Sequence, residues 1–199
     1  MAEPSDALDR WRELHTLFTI KGDPARTYPP PSPADLDRFE SETGVKLPGS
    51  YRAYCQVFGA GVFDLDPVYL SVRAPYCPRP EFDLGGAFAI NENFKKDRSI
   101  GERARRLVYV GSSFSGDLFG WDPAESTDAD APEFALYCAI RHGDVVKLAD
   151  NFYDFINVCT DRAAFKRLTE GETQTKVSRH SHLQRTPKRV FAPVSPDFI

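Results

Sequence analysis

Apolar positions recur along this chain with two periods, about three to four residues in some stretches and two in others. Over 5–19, Leu8, Trp11, Leu14 and Phe18 fall on one helical face, with His15 beside the stripe and Ser5 placed to cap it. Residues 21–31 carry too many prolines for a helix and read as a loop. The stretch 32–63, SPADLDRFESETGVKLPGSYRAYCQVFGAGVF, organises the rest. Ser32 suits an N-cap, Pro33 the first helical position, and Asp35 completes a capping-box-like pattern. Leu36 and Phe39 share a face that Thr43 continues, and Gly44 stands where a C′ glycine belongs. Pro48 begins a new turn, after which Tyr51, Tyr54 and Phe58 are spaced for one buried helical face. Gly59 and Gly61 stop that helix and release the chain toward a strand.

From Gly61 the period shortens. Val62, Phe63 and Leu65, then 68–72, predict a hairpin around Asp66-Pro67. A proline-rich loop covers 73–83. Residues 86–105 read as a helix with Phe88 and Phe94 on its apolar side, its charges in KKDR and GERARR, and Gly101 as a point of division. Strands are predicted at 107–110 and 117–121, separated by the turn Gly111-Ser-Ser-Phe-Ser-Gly116. An acidic loop is predicted at 122–132. Strands at 134–140 and 145–148 flank Arg141-His-Gly-Asp144, a hairpin signal. Asn151 caps a closing helix on which Phe152, Phe155, Ile156, Cys159, Ala163 and Leu168 recur at helical spacing. Residues 189–193 could add an edge strand, limited by Pro193. Helices, a hairpin, a helix, then antiparallel strands and a final helix make an α+β arrangement in a single domain, not alternating βαβ units. The expected organisation is an N-terminal helix and proline-rich loop over 1–31, a central domain over 32–168, and a basic tail over 169–199, partly disordered or packed only in pieces.

The 199 residues are enough for a sizeable core, and 41% hydrophobic and 13% aromatic residues suit a globular chain. The net charge of −4 makes nucleic acid a poor default partner. From Lys176 onward five basic residues stand against one acid, so the total of −4 leaves the body up to Thr175 at −8. Such a body suits a basic partner, or simply solubility. No apolar run is long enough to cross a membrane, and the N-terminus has neither the basic start nor the apolar stretch of a signal peptide. Cys55, Cys77, Cys138 and Cys159 are far apart in apolar surroundings and read as free thiols of a cytoplasmic protein.

Candidate chemistry is sparse. Gly-Ala-Gly at 59–61 follows a helix and precedes a strand, the reverse of a dinucleotide fingerprint, and reads as a helix stop. The turn at 111–116 lacks the second glycine of a nucleophile elbow and the helix after it. His180 and His182 lie in a basic tail without a nearby carboxylate or thiol, so no metal or cofactor is expected. The segment 122–133 holds Asp122, Glu125, Asp128, Asp130 and Glu133 without the spacing of a calcium loop; it is solvated surface or a contact for a basic partner. Trp121 is either a core plug or a binding anchor.

Several segments, in order, resemble the SUKH superfamily, also known as Smi/Knr-type domains. Leu36-x-x-Phe39-Glu40 and Gly44-x-x-Leu47-Pro48-x-x-Tyr51 look like its opening helix, Leu-Pro step and following helix. Phe58-Gly-Ala-Gly61 is similar to its glycine-bearing end, Gly116-Asp117-Leu118-Phe119 to its later G-D strand, and Phe152-Tyr-Asp-Phe155-Ile156 to its closing helix. The resemblance implies an α+β fold, with helices packed on a twisted antiparallel sheet, and binding rather than catalysis. Many bacterial members are immunity proteins that block a toxin, often a nuclease or deaminase, made by the same cell; others are eukaryotic regulatory scaffolds. Glu40, Leu47, Pro48, Tyr51, Gly61, Gly116 and Asp117 are then structural positions. The expected function is a cytoplasmic immunity protein that occludes a basic toxin domain, with Asp64, Asp66, Trp121, Asp122, Glu125, Asp128 and Asp130 as partner-contact candidates. A regulatory module without a toxin is the alternative. An enzyme is disfavoured because no nucleophile and base, metal cluster or phosphate loop is spaced for catalysis.

Overall fold

The computed structural model describes residues 4–65, 69–96, 100–128, 132–139, 145–161 and 189–197. Helices are α1 (Pro4–Thr16), α2 (Pro33–Thr43), α3 (Gly49–Val57), α4 (Leu84–Lys96), α5 (Glu102–Arg106) and α6 (Phe152–Thr160). Strands are β1 (Thr19–Ile20), β2 (Gly61–Asp64), β3 (Tyr69–Val72), β4 (Val108–Ser113), β5 (Leu118–Asp128), β6 (Glu133–Ala139), β7 (Val145–Ala149) and β8 (Val190–Pro193). They form one sheet in the order β1-β8-β2-β3-β4-β5-β6-β7. All its neighbours pair antiparallel except β1 and β8, which are parallel, so the sheet is mixed where an antiparallel one was expected. The reason is the return of β8, which lies between β1 and β2 and is not an edge strand. Pro193, opposite Gly61, ends it as expected of a residue that cannot donate to a ladder.

Local signals act as the sequence predicts. The Ser32 hydroxyl accepts from Asp35 N, and the Asp35 carboxylate accepts from Ser32 N, a closed capping box. Asn151 caps α6 by accepting from Asp154 N. Gly59 stops α3 in a left-handed conformation with φ +67°, which β-carbon-bearing residues rarely adopt. The helix expected over 86–105 is two, α4 and α5, with Gly101 at the head of the second. β2 and β3 pair as the expected hairpin, and so do β6 and β7; their Asp66-Pro67 and Arg141–Asp144 turns lie outside the described residues. Ala163 and Leu168, expected in the closing helix, also lie outside them.

The acidic loop expected at 122–132 is a correction. β5 continues through it to Asp128. Between the pairs Trp121–Leu136 and Ser126–Phe134, five steps along β5 face two along β6. The surplus is a bulge, and Pro123, which lacks an N–H, stands inside it. Turn-forming composition concealed a strand that is paired at both ends of this irregularity.

One face of the sheet meets α1, α2, α3, α4 and α6 in a ring-rich core that includes Trp11, Tyr51, Tyr54, Phe63, Phe119, Trp121, Phe152 and Phe191. Trp11 from α1 and Phe191 from β8 belong to this core, so both terminal segments share it with the central one. Cys55, Cys138 and Cys159 are free and buried in it. On the opposite face, Leu107, Tyr109, Ala135 and Tyr137 form a second apolar cluster. α5 anchors there through the Tyr109 hydroxyl, which donates to Ala104 O at 2.6 Å.

Candidate binding cleft

The motif residues mostly build the scaffold. The Glu40 carboxylate accepts from Leu47 N at 2.8 Å and pairs with Arg52 Nη1 at 3.3 Å, which fixes the Leu47-Pro48 step between α2 and α3. Leu47 and Tyr51 are fully buried, and the Tyr51 hydroxyl donates to Arg73 O at 2.7 Å. Gly61 lies against the Phe191 ring. Asp117 closes the β4–β5 turn: its carboxylate accepts from Ser113 Oγ at 3.0 Å, and its N–H donates to the same hydroxyl. Gly116 sits in that turn with φ +91°. Ser113 thus serves the turn between β4 and β5, while Ser112 stands in β4 and bonds Ser71 across the sheet.

α5 brings the charged residues together. Arg106 places Nη2 3.0 Å and Nε 3.1 Å from Asp122 Oδ2, and Nη1 3.0 Å from Glu102. The bond to Asp122 holds the Arg106 guanidinium above its ordinary pKa range. The other Asp122 oxygen accepts from Ala124 N at 3.0 Å, shaping the bulge. Asp122 is fully buried, and this complete set of partners is what a buried carboxylate needs. About one helical turn earlier, Arg103 meets Glu125 at 2.7 Å and lies over the Tyr137 ring. The Tyr137 hydroxyl donates to the same carboxylate.

This changes the expected contact surface. Trp121 is a core plug, not an anchor on the surface: it is fully buried, pairs opposite Val108 and packs on Tyr51. Asp122 is sequestered by Arg106, and Asp64 is 9% exposed. Glu125 is partly exposed but already paired. Glu133 turns inward and caps α3, accepting from the backbone N–H and hydroxyl of Ser50. Asp66 and Asp130 lie outside the described residues, as do His180, His182 and the side chain of Asp128. The residues that sequence reasoning missed are Arg103, Arg105 and Arg106. Their signal was present as complementarity between GERARR and DPAES.

Between α4, α5, the end of α2 and the β5 bulge lies a cleft of about 890 Å³. Its walls include Val45, Phe88, Val108 and Pro123, and charged groups of α4, α5 and β5 reach it. Phe88 is held by stacking on Phe39, with ring centroids 5.9 Å apart. The volume falls within the range of about 300–1,000 Å³ usual for ligand sites. Among the described residues, no group of three or more His, Cys, Asp or Glu converges to hold a metal, and no helix is long and apolar enough to cross a membrane.

Fold and site together define a single α+β domain on an open mixed sheet, with an arginine-bearing helix docked on a bulged strand beside a cleft. The model of the SMI1 / KNR4 family (SUKH-1) matches residues 30–158, and the chain belongs to that family. The match runs from just before α2 into α6 and leaves α1, β1 and β8 outside it. No curated protein matches the chain.

Proposed function

We propose that this chain is a non-catalytic, cytoplasmic protein-binding domain: an immunity protein that neutralises a nuclease or deaminase toxin by covering its active site. The observation that carries this reading is membership of the SMI1 / KNR4 family (SUKH-1) over 30–158, together with what the resemblance implies for bacterial members. The excess of acid in the body of the chain supports a basic toxin domain as partner, because a net negative field raises the rate of encounter. Asp122 and Glu125 contribute to that field already paired with arginines. Direct acidic contacts therefore fall to Asp66, Asp128 and Asp130.

The test begins with the gene neighbourhood, where a nuclease or deaminase toxin domain is the expected companion, and proceeds by co-expression of that domain with this chain. Restored growth and a stoichiometric complex on size exclusion are expected, and Asp128→Lys with Asp130→Lys should slow association several-fold. Absence of both protection and complex would overturn the reading in favour of a regulatory module. Unchanged association by the double variant would remove the acidic segment from the interface.

A further inference from the structure

α5 carries three arginines, and two are consumed by β5. Arg103 is committed to Glu125 and Arg106 to Asp122 and Glu102. Arg105 lines the cleft, is half-buried, and has no ion-pair partner among the described residues. Its Nε is shut off from solvent and meets no acceptor. Such a group gives up water and gains nothing in return; among the described residues side-chain atoms of Tyr54, Arg73, Asp83 and Trp121 share this state, but none of those residues lines the cleft. The carboxylates on the same cleft do not relieve Arg105. Asp122 and Glu102 both bind Arg106, and Glu92 has an interaction of its own. Val45, Phe88, Val108 and Pro123 line the same cleft as Arg105 and give it apolar walls.

We propose that the cleft is a docking site for a partner-protein segment in which an apolar side chain is followed by a carboxylate, with Arg105 as the carboxylate's partner. A guanidinium offers paired donors that match the two carboxylate oxygens. The apolar walls take the preceding side chain. The bulge is what opens the site, since it presents Pro123 and Ala124 to the cleft, and Asp122 fixes Ala124 by its N–H. The inference rests on the protein-binding reading and specifies what the partner presents at this cleft. It adds a specific contact to the long-range attraction of a basic partner.

The experiment is a ¹⁵N-detected titration of the full chain with acetyl-Leu-Glu-amide, the Gln and Lys analogues of that peptide, and hexanoate. The Glu peptide should shift the Arg105 Nε–H and the amides of Val45, Val108 and Ala124, and bind at least about fivefold tighter than the Gln and Lys peptides. Arg105→Gln should abolish that preference, while Arg105→Lys keeps part of it; spectral dispersion reports whether each variant is folded. Equal binding of all three peptides, tighter binding of the Lys peptide, no shift at these positions, or a preference that survives Arg105→Gln would overturn the proposal. Tighter binding of hexanoate than of the Glu peptide would overturn the protein-segment assignment and make the cleft a small-acid site. The peptides are independent of the toxin co-expression, so the two readings can fail separately.

Discussion

Trp11 tests whether α1, which lies outside the family match, is part of the folding unit. Its indole is fully buried and touches Tyr54, Phe58, Phe152 and Tyr153, so it joins α1 to α3 and α6. Its Nε1–H donates to Ser50 O at 2.8 Å, in the first turn of α3. Truncating a buried tryptophan to alanine costs about 3–5 kcal/mol in lost transfer energy and residual cavity. The Ser50 carbonyl loses its indole donor, which adds about 1 kcal/mol or more where water cannot replace it. Trp11→Ala should therefore cost about 5 kcal/mol, a third or more of the stability of an ordinary domain. Trp11→Phe keeps a ring in place but drops the hydrogen bond, and should cost about 1–3 kcal/mol.

The assay is urea unfolding followed both by far-ultraviolet circular dichroism and by tryptophan fluorescence. The chain has two tryptophans, so in Trp11→Ala the signal comes from Trp121 alone, in the centre of the core. If α1 belongs to one cooperative unit, the two probes give coincident transitions with a much lower midpoint. A loss under about 1 kcal/mol, or a Trp121 transition that keeps its wild-type midpoint, would refute the reasoning and make α1 an appendage.

Two further outcomes follow from the packing. A methyl group added at Gly61 would overlap the Phe191 ring and lie 2.7 Å from Ala192 O, so Gly61→Ala should loosen β8 and cost about 1–3 kcal/mol, read as a lower thermal midpoint. Alkaline pH should destabilise the fold: burial pushes the Cys55 and Cys138 thiols and the Tyr109 hydroxyl up to about 12, and Tyr51, Tyr54 and Cys159 upward too. The unfolded chain releases these protons first and so binds fewer, which makes stability fall as pH rises from about 9 toward 12; urea midpoints that stay level across that window would contradict the burial of these groups.

Much of the fold was legible because its signals are local. Ser32, Asp35 and Asn151 act within a few residues of themselves, and Gly59 ends a helix by its own backbone conformation. The stripe of Leu8, Trp11, Leu14 and Phe18 needs only a period of 3.6 to be read. What was hidden depends on distant pairing. Residues 189–193 read as an edge strand because nothing near them indicates that Thr19 and Ile20 will supply a further neighbour. The strand through 122–128 was hidden by Pro123 and its acidic neighbours, because its pairing bends around a bulge that only β6 defines. Trp121 was ambiguous for a similar reason: its burial is decided by Val108 across the sheet and Tyr51 from α3.

The charged segment shows what a sequence conceals about a site. It displays the sign of each residue but not its pairing. Read along the chain, 122–133 is an acidic patch awaiting a cation; in three dimensions its acids at 122 and 125 have found theirs in α5, and Glu133 has found the start of α3. Moving a charge from open water to a paired, buried position removes it from the list of contacts while leaving it in the net charge. Net charge governs how fast partners meet, whereas unpaired groups in a cleft govern which partner fits. On this chain the two point to different residues. The encounter field comes from an acidic body as a whole, and selection falls to Arg105, the member of the α5 arginine set that β5 does not neutralise. A substitution that changes overall charge far from the cleft should therefore alter association rate and its salt dependence, while Arg105→Gln should act on dissociation.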